Sequence, residues 1–143
     1  MLSKALHSSK SDEWYTPEHI YNELDAEFSF NLDPCATKEN HKCAFYYTKE
    51  EDGLAHSWGG QRVFCNPPYS QISKWVEKAY RESRQDNTLV VLLIPARTDT
   101  RYFHNFIYHR AEIRFVKNRI HFGDSDRAPF PSMLVIFRGA YVE

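Results

Sequence analysis

Arg62-Val63-Phe64-Cys65-Asn66-Pro67-Pro68-Tyr69 is the stretch from which the fold can be read. Val63, Phe64 and Cys65 make a short apolar run of the kind that fills a buried strand. The two prolines lock two φ angles, remove two backbone donors and restrict the residue before them. The strand therefore ends in a stiff turn that projects the Asn66 side chain and carbonyl beside the ring of Tyr69. Such a corner suits a flat, amino-bearing group such as a nucleobase, held by its edge and its face. The alternative is an ordinary Pro-rich turn between a strand and a helix.

Downstream, Ser70 is placed to cap a helix, and Ile72, Trp75, Val76 and Ala79 recur at helical spacing over about 71–84. Residues 88–94 form a continuous β-branched and leucine run, as a strand buried on both faces should. Phe103, Phe106 and Ile107 mark a further helix, with Asp99 as its expected cap. Two more strands, 112–116 and 133–137, are joined by a polar excursion rich in Arg, Asp and Pro. Upstream, Thr16-Pro17 offers a capping hydroxyl followed by proline at the first helical position. Ile20, Leu24 and Phe28 then recur every four residues and predict a helix over 17–28. Residues 28–32 read as a strand closing on Asp33-Pro34, residues 44–48 as an aromatic strand, and Asp52-Gly53 as a turn. Residues 1–12, polar and serine-rich, read as a flexible tail, and 13–143 as one domain.

Strand and helix alternate through the middle, and two strands close the chain. That pattern predicts a compact α/β domain, a mainly parallel, doubly wound sheet with an antiparallel C-terminal strand. In such sheets ligands bind outside the carboxyl ends of the strands. Asp33, Asn66 and the Pro95-Ala96-Arg97 corner all fall at strand carboxyl ends, so three polar corners share one rim.

Composition narrows the function classes. At 143 residues the chain suits a single domain, and 42% apolar with 26% charged residues places it among globular proteins that fold in water. Eighteen Lys and Arg against nineteen Asp and Glu leave a net charge of −1. No global positive field recruits nucleic acid, so any such binding must use a local basic face. Three cysteines, an odd number, and no secretory segment point to a reducing cytoplasm without a disulfide framework. The longest apolar run, 89–94, is far too short to cross a bilayer. Cys35, His41 and Cys43 lack a fourth ligand at structural-site spacing, which favours small buried thiols over a metal site.

Asn66-Pro67-Pro68-Tyr69 resembles the catalytic loop of S-adenosylmethionine-dependent methyltransferases that modify exocyclic or amide nitrogens. Residues 13–138 as a whole look like the phage-type DNA N6-adenine methyltransferases, often called phage Dam. The matching pieces upstream are Trp14-Tyr15-Thr16-Pro17, Leu32-Asp33-Pro34-Cys35-Ala36 and Asp52-Gly53-Leu54. Downstream they are Pro95-Ala96-Arg97-Thr98-Asp99-Thr100, Arg119-Ile120-His121-Phe122 and Pro129-Phe130-Pro131-Ser132-Met133. Their order and spacing together are more specific than any one of them.

The resemblance implies a Rossmann-like methyltransferase that moves a methyl group from S-adenosylmethionine to the exocyclic N6 of adenine in DNA. It implies that the Asn66 side-chain oxygen and the Pro67 carbonyl accept the amino hydrogens. Tyr69 would stack on the extruded base, and Pro68 would keep that ring in register. Asp33 resembles the carboxylate that meets the cofactor's ammonium group, and Ala36 would allow a near approach of the backbone. Asp52 would accept from the ribose hydroxyls or the adenine amino group, and Thr16 matches a contact to the cofactor's carboxylate end. Against these stand plainer roles: Asp33 and Asp52 as turn formers, Tyr69 as a half-buried aromatic, Thr16 as a helix cap. Arg97, Lys117 and Arg119 are the candidates for phosphate or base-edge contacts, or else scattered surface charges. Where the wider methyltransferase pattern has a glycine-rich loop, Pro34-Cys35-Ala36-Thr37 has none.

The same resemblance implies DNA as partner, no membrane, a monomer or weak dimer, and the cytoplasm of a bacterial host with a phage or prophage gene. Only the residues from Glu112 onward are left for sequence recognition, which implies a short target or relaxed specificity. Two other readings stay open. The acceptor could be N4 of cytosine or a protein glutamine amide, or the chain could be a non-catalytic nucleic-acid-binding protein with a degenerate cofactor pocket.

Overall fold

The computed structural model describes residues 15–122 and 128–139; the tail expected over 1–12 lies outside the described residues. Among the described residues two α-helices, α1 (Glu18–Phe28) and α2 (Ile72–Ser83), accompany four strands. These are β1 (Arg62–Cys65), β2 (Leu89–Pro95), β3 (Glu112–Phe115) and β4 (Ser132–Phe137).

β2 organises the core, and all seven of its residues are buried. Alternation along the strand sends Val90, Leu92 and Ile94 to one face and Leu89, Val91 and Leu93 to the other. The first face is covered by α2 through Trp75, Val76 and Ala79, helped by Trp58, Phe103 and Ile107. The second is covered by α1 through Tyr21, Leu24 and Phe28, helped by Ile120, Phe122 and Phe130. Each large side chain so buried contributes about 1.5–3 kcal/mol, so these two seams hold the sheet in place.

The strand order is β1-β2-β4-β3. β1 and β2 pair in parallel, from Arg62 with Leu89 to Cys65 with Leu92. β4 pairs antiparallel with both β2 and β3. The expectation of a mainly parallel sheet is therefore corrected: the sheet is mixed, one parallel ladder against two antiparallel ones. The cause is the place of β4. It does not sit at the edge but inserts between β2 and β3, so both of its ladders are antiparallel although β3 runs in the direction of β2. A strand that returns beside its predecessor without a crossover helix runs antiparallel to it.

Several local expectations also shift. Ser29 adopts φ 53° and donates its N–H to the Asp25 carbonyl at 2.8 Å, which closes α1. The strand expected over 28–32 is thereby reduced to two parallel bridges, Leu32 with Val63 and Asp33 with Tyr46. The strand expected over 44–48 shrinks to the same Tyr46 bridge. Phe103–Ile107 is one π turn, and the side chain that accepts from the Phe103 N–H, at 3.3 Å, is the Thr100 hydroxyl rather than the Asp99 carboxylate. Pro17 occupies the N-cap of α1 with no side-chain cap, so Thr16 is not capping it. Ser70 lies inside the short 3₁₀ turn Tyr69–Gln71, and Gln71 is the N-cap of α2.

Candidate active site

Three stretches of backbone meet at the carboxyl-end rim. The Asp33 N–H donates to the Phe45 carbonyl at 3.1 Å, and the Tyr47 N–H donates to the Asp33 carbonyl at 3.0 Å. The Leu32 bridge to Val63 sets β1 alongside, so Asp33 and Asn66 leave neighbouring strands in the same direction. They open on a cavity of about 630 Å³. Thr16, Asp33, Ala36, Asp52, Asn66 and Pro68 all line it. Pro67 is buried in the turn; Tyr69, Arg97, Lys117 and Arg119 lie off the lining, the last three exposed.

Asp33 is buried, and its carboxylate accepts from the Cys35 N–H at 3.3 Å and the Lys42 N–H at 2.9 Å. Burial dominates those two donors and raises its pKa to about 6. A cationic group entering the cavity would restore the ionised form, so the position suits an ammonium ligand. Asp52 sits across a short span of chain with φ 57°, and its side chain accepts from the Leu54 N–H at 3.2 Å. Gly53 joins the two acidic corners. A Cβ there would stand 2.0 Å from the Pro34 carbonyl oxygen, so only glycine permits the approach. The corner Pro34-Cys35-Ala36-Thr37 has no glycine of its own; the close contact is supplied by Gly53 from the other side.

Asn66 is held by a residue far away in sequence. Its Nδ2 donates to the buried Thr16 hydroxyl at 3.0 Å. That bond turns the side-chain oxygen away from Thr16, into a place shielded from solvent. Tyr69 is half-buried and meets Phe130 edge to face, with ring centroids 5.2 Å apart. Burial pushes its phenol pKa up, and nearby Arg97 acts in the opposite sense. Lys117 and Arg119 flank Asn118, whose φ of 65° makes a tight turn after β3.

The sequence reading did not single out Tyr15, Gln71 or Trp75 as lining residues. Trp75 belongs to the apolar stripe of α2, and the available hint was its partner Gln71, four positions earlier on the same helical face. The buried Cys43 thiol meets the Tyr21 hydroxyl at 3.5 Å, and burial raises its pKa to about 11. Among the described residues no helix is long and apolar enough to cross a membrane.

The model of the family described as DNA N-6-adenine-methyltransferase (Dam) matches residues 3–141. The chain belongs to the Dam family. A DNA N-6-adenine-methyltransferase of Haemophilus phage HP1 (strain HP1c1) is 32% identical over 148 residues, 96% of this chain and 85% of that protein. Another, of Escherichia phage T1, is 32% identical over 108 residues, 74% of this chain and 45% of that protein. The phage Dam resemblance read from the ordered motifs is therefore borne out along nearly the whole chain. In this Dam-family chain, the Asn-Pro-Pro-Tyr corner and the two acidic corners that carried the resemblance share one rim.

Proposed function

We propose that this Dam-family chain methylates the exocyclic N6 of adenine in DNA, with S-adenosylmethionine as donor, in the cavity between Asp33, Asp52 and Asn66. The observation that carries this assignment is the Asn66–Thr16 hydrogen bond, which fixes the orientation of the amide at the cavity wall. The fold supports it. With the Tyr46 and Leu32–Asp33 bridges included, every extended segment but β4 runs one way, and the cavity lies at the carboxyl ends of the Leu32–Asp33 and Tyr46 segments and of β1, as in Rossmann-like sheets.

The residues present suit the cofactor. A cavity of about 630 Å³ falls within the usual range for small-molecule sites. Asp33 would hold the ammonium group and Asp52 the nucleoside end, while the Gly53–Pro34 contact sets the distance between the two. When bound there, S-adenosylmethionine supplies an electrophilic sulfonium methyl.

The protein's task is to prepare the acceptor. The lone pair of an adenine amino nitrogen is delocalised into the ring, which makes it a poor nucleophile. The Asn66 side-chain oxygen and the Pro67 carbonyl each accept one amino hydrogen and draw the nitrogen toward tetrahedral geometry. Thr16 keeps the amide from flipping, and the two prolines keep the carbonyl in place. Positioning then supplies most of the barrier reduction, and no strong base is needed, because the amino proton becomes acidic only after methylation. The target base must leave the duplex to reach this corner, with Tyr69 and Phe130 as an aromatic wall beside it. Arg97, Lys117 and Arg119 would meet the backbone phosphates. In this reading the chain acts as a monomer or weak dimer in the cytoplasm of a bacterial host.

The test is product analysis. Purified protein, S-adenosylmethionine and DNA should yield N6-methyladenine by mass spectrometry. Asn66→Ala should abolish it while leaving affinity for S-adenosylhomocysteine within about twofold. N4-methylcytosine or methylglutamine as the product instead would overturn the acceptor assignment.

A further inference from the structure

We propose that Trp75 donates its indole N–H to a ring nitrogen of the cofactor's adenine. The inference rests on the cofactor reading of the cavity and adds to it a residue that fixes the nucleoside end. Trp75 lines the cavity and is only 5% exposed. Its Nε1 is buried and has no hydrogen-bond partner among the described residues. Trp58 stacks on it, with ring centroids 6.1 Å apart and planes 24° from parallel, yet the Trp58 Nε1 donates to the Gly53 carbonyl at 3.0 Å. Of two neighbouring indoles, one is satisfied by the protein and the other is left with a bond to give.

A buried N–H without an acceptor is costly to the fold, and native interiors rarely keep one without use. The stacking on Trp58 sets Trp75 beside the Asp52-Gly53-Leu54 corner, the end of the cavity assigned to the nucleoside. An indole N–H can only donate, and the ring nitrogens of a purine provide the matching acceptors. Together with Asp52, which can accept from the exocyclic amino group, it would read both polarities of an adenine edge. Val76 and Ala79, fully buried on the same helix, hold α2 rigidly enough for the contact to be specific.

Calorimetric titration with S-adenosylhomocysteine tests this. Trp75→Phe should bind roughly five- to tenfold more weakly, the range expected for one lost hydrogen bond. Replacement of Trp75 by its benzothienyl isostere, in which sulfur stands for the N–H, should weaken binding equally and leave the ligand-free melting temperature unchanged. Among the 1-, 3- and 7-deaza analogues of the ligand, one should bind the wild type as weakly as the parent compound binds the isostere, and the isostere should not distinguish that pair. Isostere affinity within twofold of wild type overturns the inference while leaving the cofactor reading intact. A wild-type protein that fails to bind the parent ligand overturns both.

Discussion

Asp33 is buried against two backbone N–H groups, and because burial outweighs them its carboxyl titrates near pH 6. An unfolded aspartate titrates near 4. Between about pH 4 and pH 6 the folded protein therefore keeps a proton that the unfolded chain has released. This group's contribution to stability is greatest below that window and declines as pH rises through it. The ligand-free melting temperature of wild type should fall relative to Asp33→Asn over this interval. Binding of an ammonium ligand favours the ionised form, so affinity for S-adenosylhomocysteine should climb about fivefold from pH 5 to pH 6 and level off above about pH 7. Asp33→Asn should bind weakly with no such slope; a slope retained in that variant refutes the assignment. Thr16 answers a different question, because it touches Asn66 and not an ionic group. Thr16→Val should lower the single-turnover rate about tenfold, the equivalent of roughly 1.4 kcal/mol, and also weaken cofactor binding, since Thr16 lines the cavity at the proposed carboxylate end of the cofactor.

Among the elements, the short turn opened by Asp52 depends on its glycine. Gly53→Ala forces a methyl into the Pro34 carbonyl, and neither side is a flexible side chain that can yield. A loss of about 1–3 kcal/mol in chemical denaturation is expected, together with weaker cofactor binding, since both acidic corners must part. Elements set by local pattern were legible in the sequence. β1, β2 and α2 appear within a residue or two of where hydrophobic periodicity placed them, because strand alternation and helical stripes are properties of neighbouring residues. What depended on distant partners was not legible. The Thr16 hydroxyl looked like a helix cap until its bond to Asn66, fifty positions on, became visible. Phe28 and Phe30 read as strand because nothing in the sequence announces that Ser29 turns left-handed between them. That the sheet is mixed rather than mainly parallel was hidden for the same reason. Residues 133–137 are equally apolar at an edge or in the middle, although burial of all six residues of β4 belongs to an interior position. In the candidate site Asp33 and Asn66 were legible because they follow strand-like runs, and Asp52 because Asp-Gly marks a turn, whereas the Gly53–Pro34 contact and Trp75 emerge only from packing.

Over the whole molecule, charge is balanced, and many arginines are already engaged. Arg114 makes a two-point pair with Glu27 at 2.7 Å and also meets Glu112, which Arg138 approaches at 2.8 Å. Such exposed pairs add little stability, but they neutralise the rim opposite the cavity. Arg97, Lys117 and Arg119, all exposed, are the proposed phosphate contacts. Arg119→Ala should weaken DNA binding alike on all sequences and reduce the slope of log K against log salt by about one. Cofactor affinity should not change. A variant that alters sequence preference instead would make Arg119 a base reader.

The insertion of β4 has a consequence for how the protein comes into being. The strand that bridges β2 to β3 is the last one in the described chain, so translation delivers the keystone after the arch stones. Until it emerges from the ribosome, β2 presents an open apolar edge that invites foreign strands. A nascent polypeptide halted before Ser132 is thus material for chaperones and proteases, and catalytic competence arrives in a single late event rather than by instalments.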